Sequence, residues 1–459
     1  MATLLTSKQV SHKPAAAGAA VRTLRDRLSD VLCVTDFGAK GDGVANDSSA
    51  IQACITAAKA VGKGVYFPDG VYIISSLAAQ SGRVFLNGSG GAVLRGTFTY
   101  QDNFPLAADT STPLTPTAPY FSAVGVNFQS TSSDFGLKLL TAEQGGFIST
   151  FSLTRCNFYG SKGLLARHMI GFQVANCEFN NVVAGARFES CTNGIVTSCR
   201  WQNQAESGVW ITRASDQTLR WPGGENIKFI GCEFAVCTYG IVADQCAFLV
   251  VDSCLLDYCA VPLFLSGAAY SKTSGTFYGA SNVPVSRFSA VSGYLAPVTS
   301  GVAVYGRPGG SPLGSRTVGL TAHNCEFVNY VPGSSNPIVV LDGYINGTYP
   351  MSAERIGFTG CQIYASDTHS AGTLLYVKSA AIVTVVGNRF LSYNMSSSLV
   401  DAWRAESCDS FIGHSNDFHQ CRQSGALVGS SYEKPVGGVY VQTAEPTVGV
   451  KPGDIWAQP

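Results

Sequence analysis

The sequence predicts an all-β chain: a right-handed, single-stranded parallel β-helix with three strands per rung and a capping helix near the N-terminus. Three observations carry this. Cysteine-led triplets recur at Cys156-Asn157-Phe158, Cys177-Glu178-Phe179 and Cys199-Arg200-Trp201, then at Cys232, Cys254, Cys325 and Cys361. The early steps are about 21 to 22 residues, the length of one coil. Each triplet alternates a buried-type, a polar and a buried-type residue, the period of a strand with one buried face.

The elements follow in chain order. Asp47 or Ser48 is a natural N-cap for a helix over 50–60, whose apolar residues have helical spacing, and Gly62 and Gly64 end it. Residues 65–74 read as strand, turn, strand. A helix there would cover the open end of the solenoid, where core and strand edges are otherwise exposed. Within each rung, apolar pairs such as Phe172/Val174 and Leu249/Val251 precede the ladder cysteine and mark a first strand. The triplet is the second strand. A third is opened by Gly185, Gly208 or Gly240. Asn388 and Asn416 continue the ladder in the cysteine place, and Cys191, Cys246 and Cys408 form a second column. The polar residues of the triplets have mixed sign, as in a solvated charge ladder. Insertions are expected over 213–225 and 267–316. Three segments result: 1–34 as an N-terminal attachment segment, 35–431 as the coil, and 432–459 as a cap or assembly element.

Composition narrows the function. Only 13% of the 459 residues are charged and Lys+Arg balances Asp+Glu, so no basic surface for nucleic acid is expected. No apolar run is long enough to enter a membrane, and residues 1–21 lack the apolar core of a signal peptide. The 15 cysteines are spread through the repeat without a C-x-x-C pair, which points to core residues rather than to disulfides, zinc or nucleophiles. No motif calls for a metal or another cofactor.

The stretch Val34-Thr35-Asp36-Phe37-Gly38, continuing through Gly41-Asp42-Gly43 and Asp47 to Pro68-Asp69-Gly70-Val71-Tyr72, resembles the opening of the pectate-lyase-like β-helix superfamily. Val10-Ser11-His12-Lys13-Pro14-Ala15 and residues 21–28 resemble the approach to that motif in bacteriophage tailspikes. The resemblance implies a homotrimer, joined to a phage tail or baseplate protein through its N-terminus. It would act from the virion on capsule or O-antigen polysaccharide at the host surface. Polygalacturonases of the superfamily carry paired aspartates and a Gly-His-Gly motif. This chain has no Asp-Asp pair, and His414 sits in Gly-His-Ser, so that chemistry does not transfer.

Glycoside hydrolysis needs two carboxyl groups facing one groove. Alignment on the second cysteine column puts Glu189, Asp244 and Glu406 in one position, with Arg167 and Lys378 in the same column as possible ion-ladder partners. Glu189 and Asp244 fall two rungs apart, about 9 to 10 Å, near the upper limit for inverting enzymes. Glu206 and Asp216 are the other catalytic candidates. Trp210 should point outward, and with Arg187, Arg213, Arg220, Trp221 and Tyr239 it forms the expected substrate-binding set. The leading expectation is an endo-acting hydrolase. A lyase using Tyr239 or His168 with Arg187, and a non-catalytic adhesin, are the alternatives. Asp342 or Asp401 would enter if the groove lies between subunits.

Overall fold

The computed structural model describes residues 11–12, 20–23, 30–102, 120–141, 150–214, 224–268, 270–281, 302–307, 319–334, 336–342, 353–365, 373–392, 400–406, 408, 410–419, 421–422, 426–428, 439–441 and 455–457. Its body is one 37-stranded sheet in which every pairing is parallel and each strand pairs with the matching strand of the next coil. The chain winds as a parallel β-helix. The first face stacks Gln173–Ala175, Ile195–Thr197 and Lys228–Ile230. The second stacks Arg200–Gln202, Glu233–Ala235 and Leu255–Cys259. The third stacks Ser207–Thr212, Tyr239–Asp244 and Val261–Ser266. A short fourth face, Cys191–Thr192, Gly224–Glu225 and Cys246–Ala247, is added to the three strands the sequence indicates.

Corners are made by single residues in the left-handed backbone region. Arg155, Asn176, Ser198, Ser253, Asn324 and Ser415 each have positive φ, and each immediately precedes a ladder residue. Such a corner interrupts the strand-to-strand hydrogen bonds, so the next N–H needs another acceptor. The ladder supplies it. Cys156 N–H points to Cys177 Sγ (3.5 Å), Cys177 N–H to Cys199 Sγ (3.4 Å) and Cys232 N–H to Cys254 Sγ (3.4 Å). Further on, Cys361 N–H donates to Asn388 Oδ1 at 2.8 Å, and Asn388 N–H to Asn416 Oδ1 at 2.9 Å. The cysteines are therefore more than small apolar filler: they accept one hydrogen bond and donate S–H to a carbonyl, as Cys177 does to Ala175 O (3.3 Å). All are free thiols. Burial pushes the Cys191 thiol up to about 12, as expected of a core thiol rather than a nucleophile.

Inside, aromatic rings stack from rung to rung. Phe158, Phe179, Trp201 and Phe234 are stacked nearly parallel in succession, with centroids 4.4 to 4.9 Å apart. These rings explain the glycines that open the third face. A Cβ at Gly185 would lie 2.3 Å from Trp201 Cδ1, and one at Gly208 2.7 Å from Phe234 Cδ1.

The helix Ser48–Ala60 buries Ile51, Cys54, Ile55 and Ala58. Asp47 stands at its N-cap position but makes no capping bond. Its buried carboxylate instead accepts from Lys40 N–H (2.7 Å) and Gly41 N–H (3.2 Å), clasping the loop before it.

Both expected insertions are revised. Gly224–Glu225 already belongs to the fourth face, so the first ends earlier than residue 225. The stretch 267–316 is not one insertion, because Ser271–Ser274, Phe277–Ala280 and Val304–Arg307 are regular rung strands. Thr276 takes the ladder place there, accepting from Cys254 N–H at 3.3 Å. Outside the main sheet, Ser11–His12 pairs with Arg22–Thr23, and Val439–Val441 with Ile455–Ala457.

Candidate functional site

The outward columns of the third face contain most of the residues singled out from the sequence. One runs Arg187, Trp210, Val242, Phe264, Tyr305. Its neighbour runs Arg167, Glu189, Thr212, with Asp244 and Ser266 beyond. Lys378 and Glu406 extend the second column several rungs on. The sequence alignment of these charges is therefore the register of the strands.

Their company changes their reading. Glu189 has a side chain only 5% exposed, and both oxygens are committed: Oε2 lies 2.6 Å from Arg167 Nε and Oε1 2.7 Å from Arg187 Nε. The Arg187 guanidinium lies over the Trp210 ring, 4.6 Å from its centroid. Asp244 is buried, with Oδ2 accepting from Thr212 Oγ1 at 3.2 Å. Glu189 and Asp244 thus sit two rungs apart with Thr212 between them, each held by neighbours rather than open to a groove.

Trp210 points away from the central core, as alternation requires, but it is not exposed. It is 4% accessible and belongs to a second apolar cluster with Tyr239, Val242, Val261, Phe264 and Val302. Tyr239 meets Phe264 edge-on at 5.7 Å and is likewise buried. Trp210, expected as an exposed sugar-binding ring, and Tyr239 of the same expected binding set are instead members of a small core that seals this part of the third face. The physical reason is that rung-on-rung stacking gives outward apolar residues neighbours of their own kind.

Glu206 differs. It is half-buried where the second face turns into the third. Burial raises its carboxyl above the ordinary range, opposed by the charges of Lys162 and Arg187. It precedes the strand Ser207–Thr212 that Thr212 ends. Six residues of strand separate Glu206 from the Thr212–Asp244 pair, about 20 Å and beyond the roughly 6.5 to 9.5 Å of a hydrolytic pair. Arg213 is half-buried at the strand's end. Asp216, Arg220 and Trp221 lie outside the described residues. Asp401 belongs to the strand Val400–Glu406 in a later rung. His168 occupies a left-handed corner, its N–H donating to Glu189 O at 2.9 Å.

The same turn holds residues that sequence reasoning passed over. Asp257 is raised by burial and accepts from Tyr258 N–H (2.9 Å) and from the Tyr330 hydroxyl. Tyr258 is 55% exposed and stacks on Tyr330 at 5.2 Å. The signal was available: Cys237 and Cys259 stand five residues after ladder cysteines and mark this second corner, so Val236 and Tyr258 occupy it. Among the described residues no group of three His, Cys, Asp or Glu side chains is arranged to hold a metal ion. No helix among them is long and apolar enough to cross a membrane.

A family model described as rhamnogalacturonase A/epimerase, pectate lyase-like, matches residues 31–259. The chain is 44% identical over 73 residues to the tail spike protein of an Escherichia phage, a match covering 16% of this chain and 8% of that protein. It is 60% identical over 43 residues to mannuronan C5-epimerase AlgE1 of Azotobacter vinelandii, covering 9% of this chain and 3% of the epimerase. The chain thus spans under a tenth of the length of these curated relatives. The surface protein and adhesin PfbA of Streptococcus pneumoniae shares the fold, with TM-score 0.54 and 13% identity over 88% of this chain and 100% of that one.

Proposed function

Because the chain belongs to the pectate-lyase-like β-helix superfamily, we propose that it is the β-helical body of a phage tailspike that binds and hydrolyses a bacterial surface polysaccharide. The tail spike relative motivates the virion setting, the homotrimer and attachment to a tail or baseplate protein through residues 1–34. The observation that carries the chemistry is Glu206. Burial raises this carboxyl above its ordinary value, the direction a general acid needs. Lys162 and Arg187 beside it suit an acidic substituent on the glycan.

Glu189, tied to two arginines, is the positioning residue that aims Arg187 across Trp210. Asp244 is too far along the face to complete a pair with Glu206. Asp216, Arg213, Arg220 and Trp221 follow the same end of the strand as Asp244 and are proposed as glycan contacts there rather than as partners of Glu206. Lys162 and Arg187 also favour a second reading, since cations that neutralise a uronate beside a proton-transferring group are what an eliminating lyase needs.

The test is incubation with purified capsular and O-chain polysaccharides, reading reducing ends and ultraviolet absorbance together. Hydrolysis releases reducing ends without absorbance, whereas a lyase raises both. Glu206→Gln should lower the rate about a hundredfold or more while glycan binding persists. An unchanged rate in that variant would remove Glu206 from the mechanism, and binding without any cleavage would make the protein an adhesin.

A further inference from the structure

The corner between the second and third faces is filled unevenly from rung to rung. Asn203 occupies it in one rung, Val236 in the next and Tyr258 in the one after, all with positive φ (58°, 57° and 51°). Asparagine tolerates this backbone; a β-branched or bulky aromatic residue is strained in it. Such strain is ordinarily offset by packing, yet Val236 and Tyr258 are both exposed, at 44% and 55%. Tyr258 stacks on the half-buried Tyr330, with rings 18° from parallel.

Polar groups converge beside these rings. Asp257 accepts from the Tyr330 hydroxyl. Glu233, one rung earlier, adds a second carboxylate, held 3.0 Å from Arg200. Gly279 leaves the space in which they meet: a Cβ there would lie 2.3 Å from Asp257 Oδ1 and 2.7 Å from Tyr330 Cε2. An open aromatic surface flanked by hydrogen-bond acceptors matches a pyranose ring, which presents C–H groups on its face and hydroxyls at its rim. The location supports the same reading. Glu206 lies just past Asn203 on this corner, so Tyr258 is two rungs, about 10 Å, further along the same edge.

We infer that Tyr258, Tyr330 and Asp257, with Val236 and Glu233 beside them, form a second saccharide subsite for a neutral sugar ring of the glycan whose acidic part lies at Lys162 and Arg187. This inference rests on the polysaccharide-binding reading of the chain. It sends the glycan along the corner rather than across the third face, where the Trp210 cluster fills the surface.

The deciding variants are Tyr258→Asn, which restores the residue type found at Asn203, and Tyr258→Phe, which keeps the ring. Both are made in the full chain carrying Glu206→Gln, so that the glycan is not cut. The probe is an array of purified capsular and O-chain polysaccharides, followed by titration of any glycan retained by the parent. Tyr258→Asn should weaken binding about tenfold, the scale of one aromatic contact, with a melting temperature unchanged or higher. Tyr258→Phe should bind within about twofold of the parent. Equal affinity of the Asn variant would overturn the subsite while leaving the polysaccharide reading intact. A drop in solution mass for that variant would make the patch a subunit contact instead, and absence of any glycan bound by the parent would overturn both.

Discussion

The third face and the corner that leads into it hold the same kinds of residue in opposite circumstances. On the face, Glu189 is fastened by Arg167 and Arg187, and Trp210 is sealed among Tyr239, Val242 and Phe264. At the corner, Glu206 and Asp257 are raised by burial, and Tyr258 lies open. An outward carboxylate or aromatic residue is thus no guide to function until its neighbours are known. A carboxylate flanked by cations in its own and the adjacent rung becomes a strut. One at a bend, where the ladder breaks, loses solvent without a cation fastened to it, and Asp257 is held there only by neutral donors, Tyr258 N–H and the Tyr330 hydroxyl.

The sharpest separation of the two regions is in stability. Trp210→Ala removes a buried ring from the second cluster and should destabilise the fold by about 3 to 4 kcal/mol, read as a fall in the unfolding midpoint. Tyr258→Asn should leave that midpoint nearly where it was. If Trp210→Ala instead keeps the midpoint and loses only glycan binding, the third face is an open groove and the contrast fails.

A smaller effect is expected at Glu189. Glu189→Ala leaves Arg167 and Arg187 without their common carboxylate. Because both guanidinium groups are partly solvated, the cost is discounted from that of a fully buried pair to about 2 kcal/mol. Arg187 would also lose its anchor over Trp210. Activity should fall less than in Glu206→Gln, because a residue that aims another moves the rate indirectly. Equal losses of rate in the two variants would return Glu189 to the catalytic pair.

Much of this was legible in the sequence, and the limits are instructive. The ladder spacing gives the coil, and alignment on the second cysteine column reproduces the strand register from Arg167 to Glu189 and from Lys378 to Glu406. What was missed follows from treating ladder cysteines as apolar. The position needs an acceptor for the next N–H, a role that Thr276 fills as well as cysteine does. With Thr276 unrecognised, a complete rung read as insertion. Direction was likewise legible for Trp210, but burial was not: alternation says which way a side chain points and nothing about what covers it. The corner site is harder still, because Tyr258 and Tyr330 are 72 residues apart in sequence and meet only through rung stacking.

The smallest effect tests the electrostatic half of the contrast. Burial, the largest influence on Glu206, raises its carboxyl above the reference 4.5, so the folded state binds that proton more tightly than the unfolded chain does. Its contribution to stability is full below the unfolded value and lost as pH rises through the folded one. Glu206→Gln cannot ionise and should melt slightly above the parent near neutral pH, the difference vanishing toward acid. Glu406 has the opposite sign. The Tyr376 hydroxyl, 2.8 Å from Oε2, holds it below the ordinary range, with Arg404 assisting. Its contribution is present above the unfolded value and lost as pH falls through the folded one, so Glu406→Gln should melt below the parent near neutral pH. Melting curves of both variants across about pH 4 to 8 would read the two signs side by side. A Glu206→Gln protein that melts lower throughout that range would mean that the carboxylate is paired after all, and the corner would then be a strut like the face.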